Sequence, residues 1–118
     1  MICPVSLVGQ WIEEAKQKLS DPGLVYPYHG QDRKRDPNIL SKNSIVVTTY
    51  NVLASDAFYH STKGGVNYCP PLEMIRWWRV ICDEGMLREE RRIACYFFFS
   101  HTSIRLIRII SFCLLFNL

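Results

Sequence analysis

The chain opens on a short apolar run, residues 2–5 (ICPV), that reads as the end of a strand. Ser6 stands where a helix N-cap belongs. Beyond it Leu7, Val8, Trp11, Ile12, Ala15 and Leu19 recur at the helical period, while Glu13, Glu14, Lys16 and Lys18 occupy the other face. That spacing predicts an amphipathic helix with one face for a core. Asp21-Pro22-Gly23 ends it with strong breaker chemistry. Residues 24–29 (LVYPYH) read as a strand, and Pro27, lacking an N–H for the ladder, assigns it to an edge. Residues 30–36 form a polar loop carrying Arg33, Lys34 and Arg35. Asp36 and Pro37 suit the N-cap and first position of a short helix through Leu40. Residues 44–50 (SIVVTTY) give the clearest strand, β-branched without interruption, as a strand buried on both faces should be. A helix over 51–58 and a Gly- and Pro-containing loop over 60–71 follow. Residues 76–82 (RWWRVIC) then read as another apolar strand, ending on Asp83-Glu84.

Strands alternating with helices predict an α/β layer on a mostly parallel sheet. Composition agrees: 48% hydrophobic and 21% charged residues exclude a disordered tail, a collagen-like repeat and a coiled coil. The net charge of +3 taken whole suggests a nucleic-acid or membrane partner. Its distribution changes that. Residues 1–86 hold nine Lys/Arg and nine Asp/Glu, whereas residues 87–118 hold five Arg and two Glu. The last 32 residues carry the whole excess and contain no Lys, Asp, Gly or Pro. The expected division is therefore 1–86 and 87–118, the second an apolar, helical tail.

Five Cys without C-x-x-C spacing read as reduced intracellular thiols. The three His are scattered and show no metal-ligand spacing. The amino-terminal residues lack the charged and apolar regions of a secretory signal. Arg105 and Arg108 cut the tail into uncharged runs of at most 12 residues, short of the roughly 20 needed for an integral membrane span.

Chemistry concentrates where an apolar strand ends in two acids, Val80-Ile81-Cys82-Asp83-Glu84. In parallel α/β sheets ligands sit at the carboxyl ends of strands. An Asp there can hold Mg²⁺, which takes few carboxylates and completes its shell with water and phosphate. A neighbouring Glu can orient or deprotonate a water. Alone, the pair also reads as a solvated turn. Two further stretches, residues 3–11 (CPVSLVGQW) and 45–53 (IVVTTYNVL), place hydroxyls beside helix starts, where N–H groups can meet phosphate.

In order and spacing, CPVSLVGQW, IVVTTYNVL and RVICDEG resemble three motifs of the first RecA-like lobe of SWI/SNF-type helicase-like ATPases. The WWRVICDEG form most resembles the RING-containing subgroup that acts in post-replication DNA repair. The resemblance implies an incomplete RecA-like, P-loop NTPase fold of three layers over residues 1–86. It implies that Asp83 coordinates Mg²⁺·ATP and that Glu84 positions the hydrolytic water. It implies that Ser6, Thr48, Thr49 and Tyr50 face the backbone of double-stranded DNA in chromatin, and it gives a nuclear location. The loop Arg33–Lys34–Arg35 can add phosphate contacts or remain a solvated loop. Trp11, Trp77 and Trp78 are expected to pack rather than stack on bases.

The chain also departs from the family pattern. It contains no G-x-x-x-x-G-K-[ST] phosphate loop, which in the family precedes the CPVSL motif. Met86 stands where the family has His, which couples nucleotide state to the DNA site. The second lobe, with its arginine finger, is absent. The expectation is a lobe fragment without ATPase activity of its own, followed by a tail from read-through or aberrant splicing. The alternative is a non-catalytic DNA- or protein-interaction module, with self-association through an exposed sheet edge or the tail.

Overall fold

The computed structural model describes residues 1–62, 69–83 and 107–110, with backbone alone for 60–62 and 107–110. Five strands are present: β1 (Ile2–Cys3), β2 (Val25–Tyr28), β3 (Ile45–Thr49), β4 (Val80–Asp83) and β5 (Ile107–Ile110). They form one sheet in the order β2-β3-β1-β4-β5, with every pairing parallel. Parallel neighbours need crossovers over a sheet face. Helices α1 (Val8–Lys18) and α2 (Pro37–Leu40) lie in the first two crossovers, and α3 (Tyr50–Thr62) follows β3.

The period-2 alternation of strand side chains divides the core between two faces. On one face Cys3, Val25 and Val47 meet Val8, Trp11, Ile12, Ala15 and Leu19 of α1. On the other, Ile2, Tyr28, Val46, Val80 and Cys82 meet Leu40, Val52, Leu53 and Leu72. The result is three layers, α1, sheet, and α2 with α3, as a parallel sheet requires when both faces are apolar. Val46 through Tyr50 are all buried, matching the unbroken β-branched run that marks a central strand. Pro27 sits on β2, which is an edge.

Of the two caps expected from the sequence, Asp36 forms and Ser6 does not, and the Asp21 breaker adds a cap of its own. Asp36 accepts from Asn38 N at 2.9 Å and starts α2 at Pro37. Asp21 accepts from Gly23 N at 2.9 Å in the Pro22–Leu24 turn. Ser6, expected as the cap of α1, instead sits inside a 3₁₀ turn, Val5–Leu7, and makes no side-chain cap bond. Pro4 starts that turn, and Leu7 N bonds Pro4 O at 3.0 Å, so the backbone satisfies itself. Helix α3 runs over Tyr50–Thr62, longer than the 51–58 read from the sequence.

The helical expectation for the tail does not hold at residues 107–110. They form β5 and pair in parallel with Val80–Asp83. The reason is the edge. Without a neighbour on that side, β4 would leave a row of backbone groups unpaired. The Ile-Arg-Ile-Ile stretch is β-branched enough to extend against it. The rest of the tail lies outside the described residues. No helix among the described residues is long and apolar enough to cross a membrane.

Candidate functional site

Register aligns three strand ends at the carboxyl edge of the sheet. Ile2 lies opposite both Thr48 and Cys82, and Cys3 lies opposite Thr49. Asp83, last residue of β4, therefore stands beside the end of β1, with the end of β3 one strand further on. It exposes none of its surface. Two donors from different elements hold it. The Trp11 indole N–H of α1 donates to its Oδ2 at 2.7 Å. The Tyr50 hydroxyl, at the start of α3, donates to its backbone carbonyl at 2.8 Å. Among the described residues, the remaining carboxylate oxygen, Oδ1, is buried without a hydrogen-bond partner.

The neighbouring hydroxyls serve the backbone. Thr48 Oγ1 donates to Tyr28 O at 2.9 Å, tying β3 to β2. Thr49 Oγ1 accepts from Val52 N at 3.2 Å, satisfying an open donor in the first turn of α3. The Cys3 thiol contacts Thr48 O at 3.8 Å. Burial pushes that thiol up to about 11, and the nearby Asp83 charge adds to the shift.

A second polar cluster lies under the basic loop. The Tyr28 hydroxyl donates to Asp56 Oδ2 at 2.7 Å, and Arg33 Nη2 donates to Asp56 Oδ1 at 2.8 Å. Arg33 Nη1 also reaches Gly30 O at 2.7 Å, and its guanidinium lies 5.7 Å from the Tyr28 ring centre. Burial raises the Tyr28 phenol well above its ordinary range, and the bond to Asp56 raises it further. Burial disfavours the Arg33 cation, but Asp56 outweighs it and holds the proton on more firmly.

The expected site residues thus separate. Asp83 closes β4 at the carboxyl edge of the sheet. Glu84, and Met86 two residues on, lie outside the described residues. Ser6 is exposed, on the turn that enters α1. Thr48, Thr49 and Tyr50, expected to face phosphate, are only 3%, 4% and 3% exposed, and their hydroxyls are spent on the bonds above. Within the basic loop, the Arg33 side chain is 6% exposed and ion-paired inward. Lys34 is exposed, and the Arg35 side chain is half exposed at 3.8 Å from Asp56.

Trp77 packs, donating to Leu72 O at 2.8 Å, and Trp78 is exposed. Both line a hollow of about 490 Å³, with Met1, Ser44 and Arg79. Those last residues mark the amino ends of the strands, and Asp83 is not among the lining residues.

Two participants were not read as site residues from the sequence, although Trp11 closes the CPVSLVGQW stretch. Trp11 falls on the apolar face of α1, one turn into the helix after β1, and a buried indole N–H seeks an acceptor. Asp56 sits three and four residues from Leu53 and Val52, on the buried face of α3, where a carboxylate needs partners. Both signals were in the spacing.

The donor set suits Mg²⁺ in a limited way. One buried carboxylate oxygen with no donor among the described residues is what a cation or its water would satisfy, and one carboxylate suffices where phosphate supplies other ligands. No group of three His, Cys, Asp or Glu that could hold a metal alone occurs among the described residues. Nor does the sequence contain a phosphate loop to hold a triphosphate.

An all-parallel sheet in three layers, with a buried acid closing a central strand, defines a partial RecA-like α/β fold. The chain belongs to the SNF2-related domain family, which matches residues 1–98. It is 49% identical over 87 residues to the helicase-like transcription factor of Oryctolagus cuniculus, covering 72% of this chain and 8% of that protein. The Homo sapiens helicase-like transcription factor is 48% identical over the same coverage. DNA repair protein RAD5A of Arabidopsis thaliana is 34% identical over 86 residues, again covering 72% of this chain and 8% of the relative. The chain therefore spans about 8% of the length of these relatives. No solved structure matches it.

Proposed function

We propose that this chain is first-lobe sequence of an ATP-dependent, DNA-stimulated helicase-like translocase of nuclear DNA repair and chromatin remodelling, and that alone it turns over no ATP. The observation that carries the reading is Asp83, closing a central parallel strand with one undonated carboxylate oxygen inside a family match. In that role Asp83 holds the Mg²⁺ of Mg²⁺·ATP, and Glu84, next in sequence, orients the attacking water. Mg²⁺ supplies neutralisation of the phosphate charge. Activity needs a phosphate loop and second-lobe cations as well, because phosphoryl transfer is catalysed by positioned charge. Steady-state phosphate release from the purified chain, with and without duplex DNA, tests this. The expected rate equals the no-protein blank. DNA-stimulated turnover that disappears in Glu84→Gln would overturn the inactivity.

A second reading, a non-catalytic DNA-binding module, is favoured by one observation. Lys34 and Arg35 are presented outward by a loop anchored through Arg33. Salt-dependent retention on immobilised duplex DNA that is lost in Lys34→Ala/Arg35→Ala, with Arg33 kept, would support it. Equal retention of the variant would remove it. The domain division at residue 86 rests on composition, and the family match runs twelve residues past it, to residue 98. We read the segment 87–118 as additional to the lobe. Independent homologous proteins that share it throughout would overturn this.

A further inference from the structure

We propose that Trp11 is a positioning residue for Asp83: its indole N–H fixes the carboxylate so that Oδ1 alone is turned toward a divalent cation. This rests on the reading of Asp83 as the cation ligand. The two residues are 72 positions apart and belong to different layers, yet the indole bond is 2.7 Å. It is the one side-chain donor to the Asp83 carboxylate among the described residues, because Tyr50 binds the backbone carbonyl instead. A carboxylate at a strand end can rotate about two side-chain bonds. One short bond to Oδ2 selects an orientation and leaves Oδ1 buried and, among the described residues, undonated. An undonated buried acceptor is costly, so the arrangement makes sense where another group completes it.

Packing alone does not require the bond. A phenylalanine ring would meet Cys3, Val8, Val25 and Val47, the core residues around Trp11, without an N–H. Among the described residues, only the indole hydrogen-bonds α1 to the acid. Helix α1 begins directly after the exposed turn that carries Ser6. A shift of α1 toward or away from whatever engages that turn would therefore move the hydrogen-bond donor of Asp83.

The test uses the whole 118-residue chain with Mn²⁺ as probe. In ¹H–¹⁵N spectra, Mn²⁺ is expected to broaden the Trp11 indole resonance before those of Trp77 and Trp78, which needs no variant. Asp83→Asn is expected to shift the Trp11 indole and to abolish the selective broadening. Trp11→Phe is expected to raise the Mn²⁺ midpoint, followed on the Cys82 and Asp83 amides, about tenfold, as loss of a ligand-orienting partner typically does. Leu19→Ala, which loosens α1 packing and leaves the indole in place, is expected to lower the melting temperature without moving that midpoint. A Trp11→Phe midpoint equal to wild type overturns the proposal, as does an equal rise in Leu19→Ala. If Mn²⁺ broadens nothing near Asp83, the cation reading falls and the proposal with it. An Asp83→Asn shift of the indole would then still register the bond, which separates the two failures.

Discussion

Two glycines with similar surroundings should respond to alanine in opposite ways. A Cβ added at Gly9 or at Gly30 would meet nothing within 4 Å, but Gly30 has φ +82°. At Gly30 the left-handed backbone would cost roughly 1–2 kcal/mol in any L-residue with a Cβ. At Gly9, inside α1, alanine should stabilise by about 0.5–1 kcal/mol by reducing the freedom lost on folding. Urea unfolding of Gly30→Ala and Gly9→Ala is expected to move the midpoint down and up respectively. Cysteines separate as clearly. Cys69 is exposed and Cys3 is buried, so brief maleimide treatment followed by peptide mapping should label Cys69 and spare Cys3. The Cys3 thiol also sets a pH dependence. Its ordinary value is 9.0 and its folded value about 11, so the folded state favours the neutral thiol. The resulting stability is complete below pH 9 and lost as pH rises through 11. Denaturation at pH 8 and pH 10.5 should show that loss, and Cys3→Ala should remove this contribution to it.

At the scale of elements, the buried Asp56 joins three of them. It fastens α3 to β2 through Tyr28 and to the following loop through Arg33. Removing one partner of a buried ion pair leaves the other charge uncompensated, at about 3–5 kcal/mol. Asp56→Ala is expected to destabilise by that amount, which calorimetry can check. Tyr28→Phe removes one donor from Asp56 and should cost only about 1–3 kcal/mol. The larger loss in Asp56→Ala would confirm that the carboxylate is the hub. Loop order should follow: amide exchange over residues 30–36 should accelerate in Asp56→Ala more than in Tyr28→Phe. Leu40, fully buried on the same face, gives an apolar comparison. Its truncation to Ala is expected to cost about 2–5 kcal/mol while leaving the loop bonds in place.

Across the whole molecule, the sheet order β2-β3-β1-β4-β5 places β3, inside the run 44–50, and β4, whose Val80–Asp83 takes only the end of the strand read over 76–82, on either side of β1. Much of that was legible. The β-branched run of β3, the helical period of α1, the cap at Asp36 and the edge-strand proline each report local chemistry, which sequence spacing carries directly. The Asp83 motif was legible for the same reason. The roles of Thr48, Thr49, Tyr50 and Arg33 were not. Whether a hydroxyl or guanidinium points outward depends on which backbone carbonyl or carboxylate lies within about 3 Å. For Thr48, Tyr50 and the Arg33–Asp56 pair those partners come from 20 to 33 positions away, whereas Thr49 bonds Val52 three residues on. The tail shows the limit most plainly. Its apolar composition allowed a helix, but strand pairing of residues 107–110 depends on the open edge of β4, a demand made elsewhere in the chain. By itself, then, the sequence determined the α/β alternation, the family and the acid at the end of β4, because these are written in local pattern. Only the tertiary structure decided which polar groups are spent on the fold and that Trp11 holds Asp83, because both depend on the long-range register that brings distant donors and acceptors together.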